Sequence, residues 1–196
     1  MKKIINEPTQ VVDEMLQGLS FMHDDLVERL DGFDVIVRKA EKTGKVGLIS
    51  GGGSGHEPSH AGFVGDGMLS AAICGAVFTS PTPDQILEAI KAADEGAGVF
   101  MVIKNYSGDI MNFEIAQEFA EMEGIDVASV VVDDDIAVEN SLYTQGRRGV
   151  AGTILVHKIL GDAARSGKSL AEMKDLADKL VLEIKTIGLA LSGATV

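Results

Sequence analysis

Short hydrophobic runs alternate with segments of helical period along this chain, from about residue 45 onward. The runs are apolar at nearly every position, which is typical of strands covered on both faces. They predict strands at Val46–Ser50, Met68–Cys74, Gly98–Lys104, Val127–Val132 and Ile187–Leu191. This alternation predicts an α/β fold, a layered and largely parallel or mixed sheet flanked by helices. We expect a single α/β domain over residues 1–196.

Capping signals and apolar positions three or four residues apart mark the helices between these runs. Two capping boxes, Thr82–Gln85 and Ser169–Glu172, predict helix starts. Pro8 is suited to the first turn of another helix, because its φ is already close to the helical value. The apolar spacing predicts two more helices, one ending at Gly124 and one over residues 150–164.

A glycine run, Gly51–Gly55, directly follows the first of these strands and continues into His56, Glu57 and Pro58. Glycine permits positive φ and lets backbone N–H groups approach a ligand closely. Pro58 is expected in the first turn of a following helix. A strand end, a flexible loop and a helix N-terminus together favour an anion or a polar small molecule, with a plain structural turn as the alternative.

The composition and net charge of the chain argue against several classes of protein. The chain has 196 residues, 45% of them hydrophobic, and a net charge of −13. An acidic surface argues against nucleic acid or anionic membrane as a partner. The single cysteine, Cys74, lies in an apolar run and is expected to be an inert core thiol. Neither a signal peptide nor a run long enough to cross a bilayer is present, so we expect a soluble cytoplasmic protein.

Several catalytic motifs are excluded or disfavoured by spacing. The glycines lack the Gly-Lys-Ser/Thr ending of a P-loop, and Pro58 occupies the place of the third glycine of a dinucleotide fingerprint. The segment His56–His60 does match the zinc-protease pattern H-E-x-x-H by its letters. That chemistry needs both histidines on one helix, where an interior Pro58 would cost about 3 kcal/mol. We therefore place His56 on a loop and His60 on the first helical turn, and disfavour a zinc hydrolase.

Acidic and basic side chains follow the other strands. Asp133–Asp135 come after one strand and allow either a Mg²⁺ site or a solvated turn with a helix N-terminal acid. His56 and Asp109 each follow a strand end, where the fold can bring them together as a general-base pair for a hydroxyl. Lys104, at the same edge, could stabilise an oxyanion or a phosphoryl oxygen. In the alternative, Asp109 caps a helix and Lys104 is a solvated strand end.

Five motifs in order along the chain together resemble the substrate-binding K part of dihydroxyacetone kinases. They are Gly51–Pro58, Phe78–Pro83, Ile103–Asp109, Val132–Asp135 and Ser141–Gly149. The first residues, from Lys2 to Asn6, and the last, from Gly188 to Val196, agree as well, so the resemblance covers essentially the whole chain. It implies a kinase that phosphorylates dihydroxyacetone on a hydroxyl. The short chain is most similar to the bacterial type that depends on the phosphotransferase system.

The resemblance also implies roles for individual residues. His56 and Asp109 would act on the hydroxyl that attacks the phosphoryl group. The predicted substrate-binding residues are Gly53, Ser54, Gly55, Ser80 and Lys104. No metal site is implied on this chain. Members of the family also hold dihydroxyacetone as a hemiaminal on a histidine of a later segment, which lies beyond Val196, so this chain alone is expected to be inactive.

The expected partners follow from the same resemblance. The phosphoryl group would come from ADP or ATP with Mg²⁺ on a separate L subunit, and not from a cofactor bound by this chain. Which donor applies, the phosphotransferase system or ATP, stays open. The protein is expected to form a homodimer. The alternative from another class is a non-catalytic regulator that senses dihydroxyacetone and acts through a protein partner.

Overall fold

The computed structural model describes residues 4–39, 42–138 and 146–192, and these form one mixed sheet covered by helices on both faces. The strands are β1 (Val27–Arg29), β2 (Val35–Arg38), β3 (Gly47–Ser54), β4 (Ala71–Val77), β5 (Val99–Lys104) and β6 (Val127–Val132). Their order across the sheet is β1-β2-β4-β3-β5-β6. The α/β fold predicted from the sequence is therefore confirmed.

Four neighbouring strands are parallel and carry their carboxyl ends to one edge. β3 lies at the centre and pairs in parallel with β4 and with β5, while β6 pairs in parallel with β5. β1 and β2 form an antiparallel extension beside β4. In sheets of this kind ligands bind outside the carboxyl ends of the parallel strands.

The helices divide between the two faces of the sheet. They are α1 (Val11–Met22), α2 (Pro83–Ala93), α3 (Ser107–Met122), α4 (Thr153–Arg165) and α5 (Leu170–Glu183). Helices α2 and α3 enclose one hydrophobic core, and α1, α4 and α5 contribute to the other. Alternate residues of β5 belong to opposite cores, since Phe100 faces the second and Met101 the first. This explains why the strand is apolar at every position from Val99 to Ile103.

Most predicted elements form close to the expected bounds, and both capping boxes are present at Thr82 and Ser169. The strand predicted at 68–74 begins later, at Ala71, and continues past Gly75 to Val77. Cys74 is buried, and its burial raises the pKa of the thiol to about 12, in agreement with an inert core thiol. Within the described ranges, none of the helices is long and apolar enough to cross a membrane.

Two predictions about secondary structure are wrong. The run Ile187–Leu191 is not a strand. Thr186, just before it, forms a bridge to Asp135, and the apolar residues that follow have no pairing partner among the residues that the structure describes. Pro58 does not begin an α-helix but lies in a turn, followed by a single 3₁₀ turn at Ala61–Phe63. The proline φ suits a turn as well as a helix start, so the residue alone could not decide between them.

Candidate active site

A cavity of about 550 Å³ opens at the carboxyl edge of the parallel strands. It lies where the end of β3, the loop after β4, the end of β5 and the first turn of α3 meet. The residues that line it are Gly53, His56, Phe78, Ser80, Lys104, Tyr106, Ser107, Gly108 and Asp109. Five residues predicted to carry the chemistry, Gly53, His56, Ser80, Lys104 and Asp109, are thus brought together.

Asp109 is a buried carboxylate in the first turn of α3, with 4% of its surface exposed. The Ser80 hydroxyl donates a short hydrogen bond to its Oδ1. Burial raises the pKa of Asp109 above its usual value, while the Ser80 bond and the positive charge of Lys104 oppose that shift. A carboxylate held in place with a raised pKa is a stronger base than a solvated one.

Lys104 is the last residue of β5 and is 8% exposed. Burial lowers the pKa of its ammonium group, and the negative charge of Asp109 opposes the shift. The group lies 5.5 Å from the centre of the Tyr106 ring. A Cβ at Gly52 would come within 3.1 Å of Lys104 Nζ and 3.6 Å of Asp109 Oδ2. Glycine at this position therefore leaves room for both side chains over the end of β3.

His56 stands at the exposed rim of the cavity, with its ring edge toward Phe78 at a centroid distance of 5.1 Å. Burial of part of the ring lowers its pKa first, and the positive charge of Lys104 lowers it further, against the opposing charge of Glu57. The imidazole is therefore neutral near pH 7 and able to accept a proton. In the described residues, His56 and Asp109 line the same cavity without a hydrogen bond between them.

Close packing of glycines shapes the wall of the cavity. A Cβ at Gly53 would lie 2.4 Å from the Thr79 backbone nitrogen, and one at Gly75 would lie 2.0 Å from the Thr79 carbonyl oxygen. The loop after β4, which carries Ser80, therefore rests directly on the glycine backbone of two strands. Phe78 in this loop has a φ of 50°, uncommon for a residue with a side chain.

Ser54 and Gly55 lie beside the cavity and do not line it. The Ser54 hydroxyl donates to the Gly75 carbonyl oxygen at 2.7 Å, and the Gly55 N–H donates to the Glu57 carboxylate. Both residues line a neighbouring, more apolar cavity. Their predicted contact with substrate stays a prediction. Phe78 and Tyr106, by contrast, line the 550 Å³ cavity at the strand ends, which we call the active cavity. The sequence offers no signal for either residue beyond its place in a motif.

The three consecutive aspartates have separate structural partners. Asp134 is buried and accepts hydrogen bonds from the backbone N–H groups of Val150 and Gly152, just before α4. Asp135 accepts two hydrogen bonds from Arg148, and Asp133 accepts one from Arg147. These contacts favour the helix N-terminal role for the run. The motif residues Ser141–Gln145 lie outside the described residues, as do Met1–Lys3 and Gly193–Val196.

The two histidines of the H-E-x-x-H pattern do not face one ligand. His60 is the last residue of the turn and not on a helical turn with His56, and its Nδ1 is 3.0 Å from Nε2 of His157. Throughout the described part of the chain, no three His, Cys, Asp or Glu side chains are grouped to hold a metal ion. The geometry of the zinc-protease motif is therefore not formed by these residues.

The site contains two groups that can accept a proton, His56 and Asp109, and a buried cation, Lys104. A hydroxyl placed between them could lose its proton to either base, while the ammonium stabilises the oxygen anion. The cavity volume of about 550 Å³ is sufficient for a small molecule. The arrangement suits transfer of a group to a hydroxyl of such a molecule.

Comparison with known proteins shows the family to which the chain is similar. The Dak1 domain family matches residues 17–196. The chain is 71% identical over 195 residues, 100% of its length, to the dihydroxyacetone-binding subunit DhaK of a PTS-dependent dihydroxyacetone kinase from Lactococcus lactis subsp. lactis strain IL1403, and covers 59% of that protein. It is 43% identical over 190 residues to the DhaKLM operon coactivator DhaQ of the same strain, covering 97% of this chain and 58% of the coactivator.

A solved structure is similar as well. The dihydroxyacetone kinase of C. freundii, known in its native form and in complex with AMP-PNP and Mg²⁺, matches with a TM-score of 0.84 and 41% sequence identity. The match covers 91% of this chain and 33% of the C. freundii chain. The chain thus spans little more than half the length of the curated relatives just described.

Proposed function

Because this chain belongs to the Dak1 domain family, we propose that it forms the substrate-binding part of a kinase that phosphorylates dihydroxyacetone to dihydroxyacetone phosphate. The observation that carries the proposal is the buried Asp109, bonded to Ser80 and interacting electrostatically with Lys104 in a cavity that His56 also lines. The 71% identity to a dihydroxyacetone-binding subunit supports the choice of substrate.

In the proposed reaction, His56 and Asp109 act on the substrate hydroxyl that attacks the phosphoryl group. The raised pKa of Asp109 makes its carboxylate a stronger base than a solvated aspartate, and the lowered pKa of His56 keeps the imidazole unprotonated at neutral pH. Ser80 orients the carboxylate. Lys104 stabilises the negative charge that develops on the attacking oxygen or on the transferred phosphoryl group.

The phosphoryl donor is proposed to reach this site on a separate subunit. We infer an L subunit that carries ADP or ATP with Mg²⁺, in line with the kinase of C. freundii that was solved with AMP-PNP and Mg²⁺. The PTS-dependent relative supports ADP that is rephosphorylated by the phosphotransferase system. A homodimer remains a further prediction, which light scattering would check.

A second function is a regulator that binds dihydroxyacetone without turnover. Its support is the 43% identity to the operon coactivator DhaQ. The presence of His56, Asp109 and Lys104 in one cavity favours the kinase, because sensing alone requires no base.

Calorimetric titration of the 196-residue chain with dihydroxyacetone tests the proposed substrate. We expect binding that weakens strongly in Asp109→Asn, because Ser80 already donates to Oδ1 and the amide replaces Oδ2, the free acceptor for a substrate hydroxyl, with an N–H donor. Titration with glycerol is the matched comparison. Equal binding of dihydroxyacetone by the wild-type protein and by Asp109→Asn would show that Asp109 does not contact the substrate.

A further inference from the structure

Two buried histidines from distant parts of the chain form a hydrogen-bonded pair beside the active cavity. His60, which ends the turn after His56, is 5% exposed, and His157 on α4 is fully buried. Their Nδ1 and Nε2 atoms are 3.0 Å apart, and the rings meet edge to face at a centroid distance of 5.2 Å. The proposed kinase chemistry makes no use of this pair.

The distance between the two ring nitrogens indicates which nitrogens of the pair carry protons. A hydrogen bond between two ring nitrogens needs one N–H and one bare nitrogen. Burial lowers the pKa of His157 to about 3 and that of His60 well below its ordinary value, so both rings are neutral at pH 7. One proton therefore lies in the bond, and the second lies on His60 Nε2 or His157 Nδ1. Both of these outer atoms are buried without a hydrogen-bond partner in the described residues.

A buried histidine pair of this kind stabilises a protein core less than apolar side chains of similar volume would. Buried polar atoms without partners destabilise the folded state, whereas apolar side chains of similar volume would not. The bond between the rings does, however, fix one geometry where apolar contacts would allow several. The pair is thus better suited to holding a segment in place than to stabilising the protein.

The segment held is the one that carries His56. At its start, Ser54 is bonded to the Gly75 carbonyl oxygen of β4, and at its end His60 is bonded to His157. Helix α4 is in turn fixed by the hydrogen bonds from the Val150 and Gly152 amides to Asp134. We propose that His60 and His157 are positioning residues, which fix the 55–60 turn against α4 and so hold the His56 imidazole in the active cavity.

This inference rests on the proposed function only for the catalytic role of His56, so it can be tested without turnover. The chain has four histidines, and ¹⁵N-resolved NMR of the 196-residue protein can observe each ring. A scalar coupling between His60 Nδ1 and His157 Nε2, transmitted through the hydrogen bond, is the first expected result. Its absence in the folded wild-type protein would overturn the proposal.

Three variants separate positioning from packing. His157→Leu removes the bond at similar volume, and His157→Gln keeps an amide nitrogen near the position of Nε2. Val156→Ala, at a neighbouring buried position on α4, removes packing and leaves the pair intact. In His157→Leu we expect broadened His56 resonances and a His56 pKa that returns toward 6.5, because the ring becomes less buried and moves away from Lys104. His157→Gln and Val156→Ala should keep the wild-type values.

A folded His157→Leu variant with an unchanged His56 signal would contradict the proposal, as would an equal change in Val156→Ala. If His157→Leu does not fold, the proposal is tested by the scalar coupling in the wild-type protein and by the His56 signal of His157→Gln, which should match that of the wild type. In a chain extended to the length of its relatives, His157→Leu should lower kcat about tenfold with little change in KM, and His157→Gln should restore it. Absence of turnover in the extended wild type would refute the proposed function and leave the NMR result standing.

Discussion

The Ser80 hydroxyl donates a hydrogen bond to Oδ1 of Asp109, which joins the loop after β4 to the first turn of α3. The two residues are 29 positions apart and meet because β4 and β5 flank β3 with their carboxyl ends at one edge. Gly108 allows the contact, since a Cβ there would lie 2.8 Å from Ser80 Oγ. The bond fixes the carboxylate and also opposes the rise of its pKa.

Removing this hydroxyl should change the titration of Asp109. In Ser80→Ala the carboxylate loses a donor while staying buried, so we expect its pKa to rise further. If the proposed function holds, turnover by the chain extended to the length of its relatives should fall about tenfold. Carboxyl ¹³C NMR of the 196-residue chain measures the pKa. Thr79→Ala is the control, because its hydroxyl is bonded to Val77 and not to Asp109. An unchanged Asp109 titration in Ser80→Ala would refute the assigned role of the bond.

The acid limb of the pH–rate profile should reflect His56. Its pKa is lowered below 6.5, first by burial and then by the charge of Lys104, so the unprotonated base persists below pH 6.5 and kcat/KM falls only at lower pH. In Lys104→Met the charge is lost, and the limb should move to higher pH while the absolute rate falls.

The matched control for this experiment is Lys174→Met, which removes an exposed cation from α5. Its profile should coincide with that of the wild type. A limb that stays in place in Lys104→Met would show that His56 is not the titrating base, or that Lys104 does not act on it.

Two neighbouring glycines should respond differently to alanine. In Gly52→Ala the new Cβ meets Nζ and Cε of Lys104, a flexible side chain that can move, so we expect a stable protein that binds dihydroxyacetone about tenfold more weakly. In Gly53→Ala the Cβ meets the backbone of Thr79 and Phe78, which cannot move alone, so stability should fall by about 1–3 kcal/mol.

Calorimetric titration and thermal unfolding measure the two effects. Gly18→Ala on α1 is the control, because a Cβ there has no atom within 4 Å. Weaker binding with a large loss of stability in Gly52→Ala would contradict the account, since it would indicate a disturbed strand and not a displaced Lys104.

The aspartate run offers a test of stability within one motif. Asp134→Ala leaves the buried N–H group of Gly152 and the partly buried N–H group of Val150 without their acceptor. It should cost about 3 kcal/mol in the free energy of unfolding. Asp133→Ala removes a partly exposed pair with Arg147 and should cost less than about 1 kcal/mol. Urea unfolding measures both, and equal losses would be inconsistent with the capping role of Asp134.

The sequence predicted the parallel strands well because they consist mostly of apolar residues, and the central strands β3 and β5 are buried on both faces. It did not reveal β1 and β2, which are short, lie at the edge of the sheet and include charged residues such as Glu28 and Arg38. It wrongly predicted a strand at Ile187–Leu191, since an apolar run does not show whether a pairing partner exists.

The site was predictable to the extent that its residues follow strand ends. His56, Lys104 and Asp109 meet because parallel strands bring their carboxyl ends to one edge. The orientation of Ser54 away from the cavity, and the contact between His60 and His157, depend on packing across residues far apart in sequence. Neither feature belongs to a local pattern, so the sequence alone gave no signal for them.

The most direct test of the central claim is phosphoryl transfer to dihydroxyacetone by the chain extended to the length of its relatives, assayed with an L subunit and its nucleotide. We predict formation of dihydroxyacetone phosphate that falls by at least about 100-fold in Asp109→Asn and in His56→Ala, with the fold retained. Binding of dihydroxyacetone without any turnover in the wild type would contradict the claim and identify the protein as a regulator.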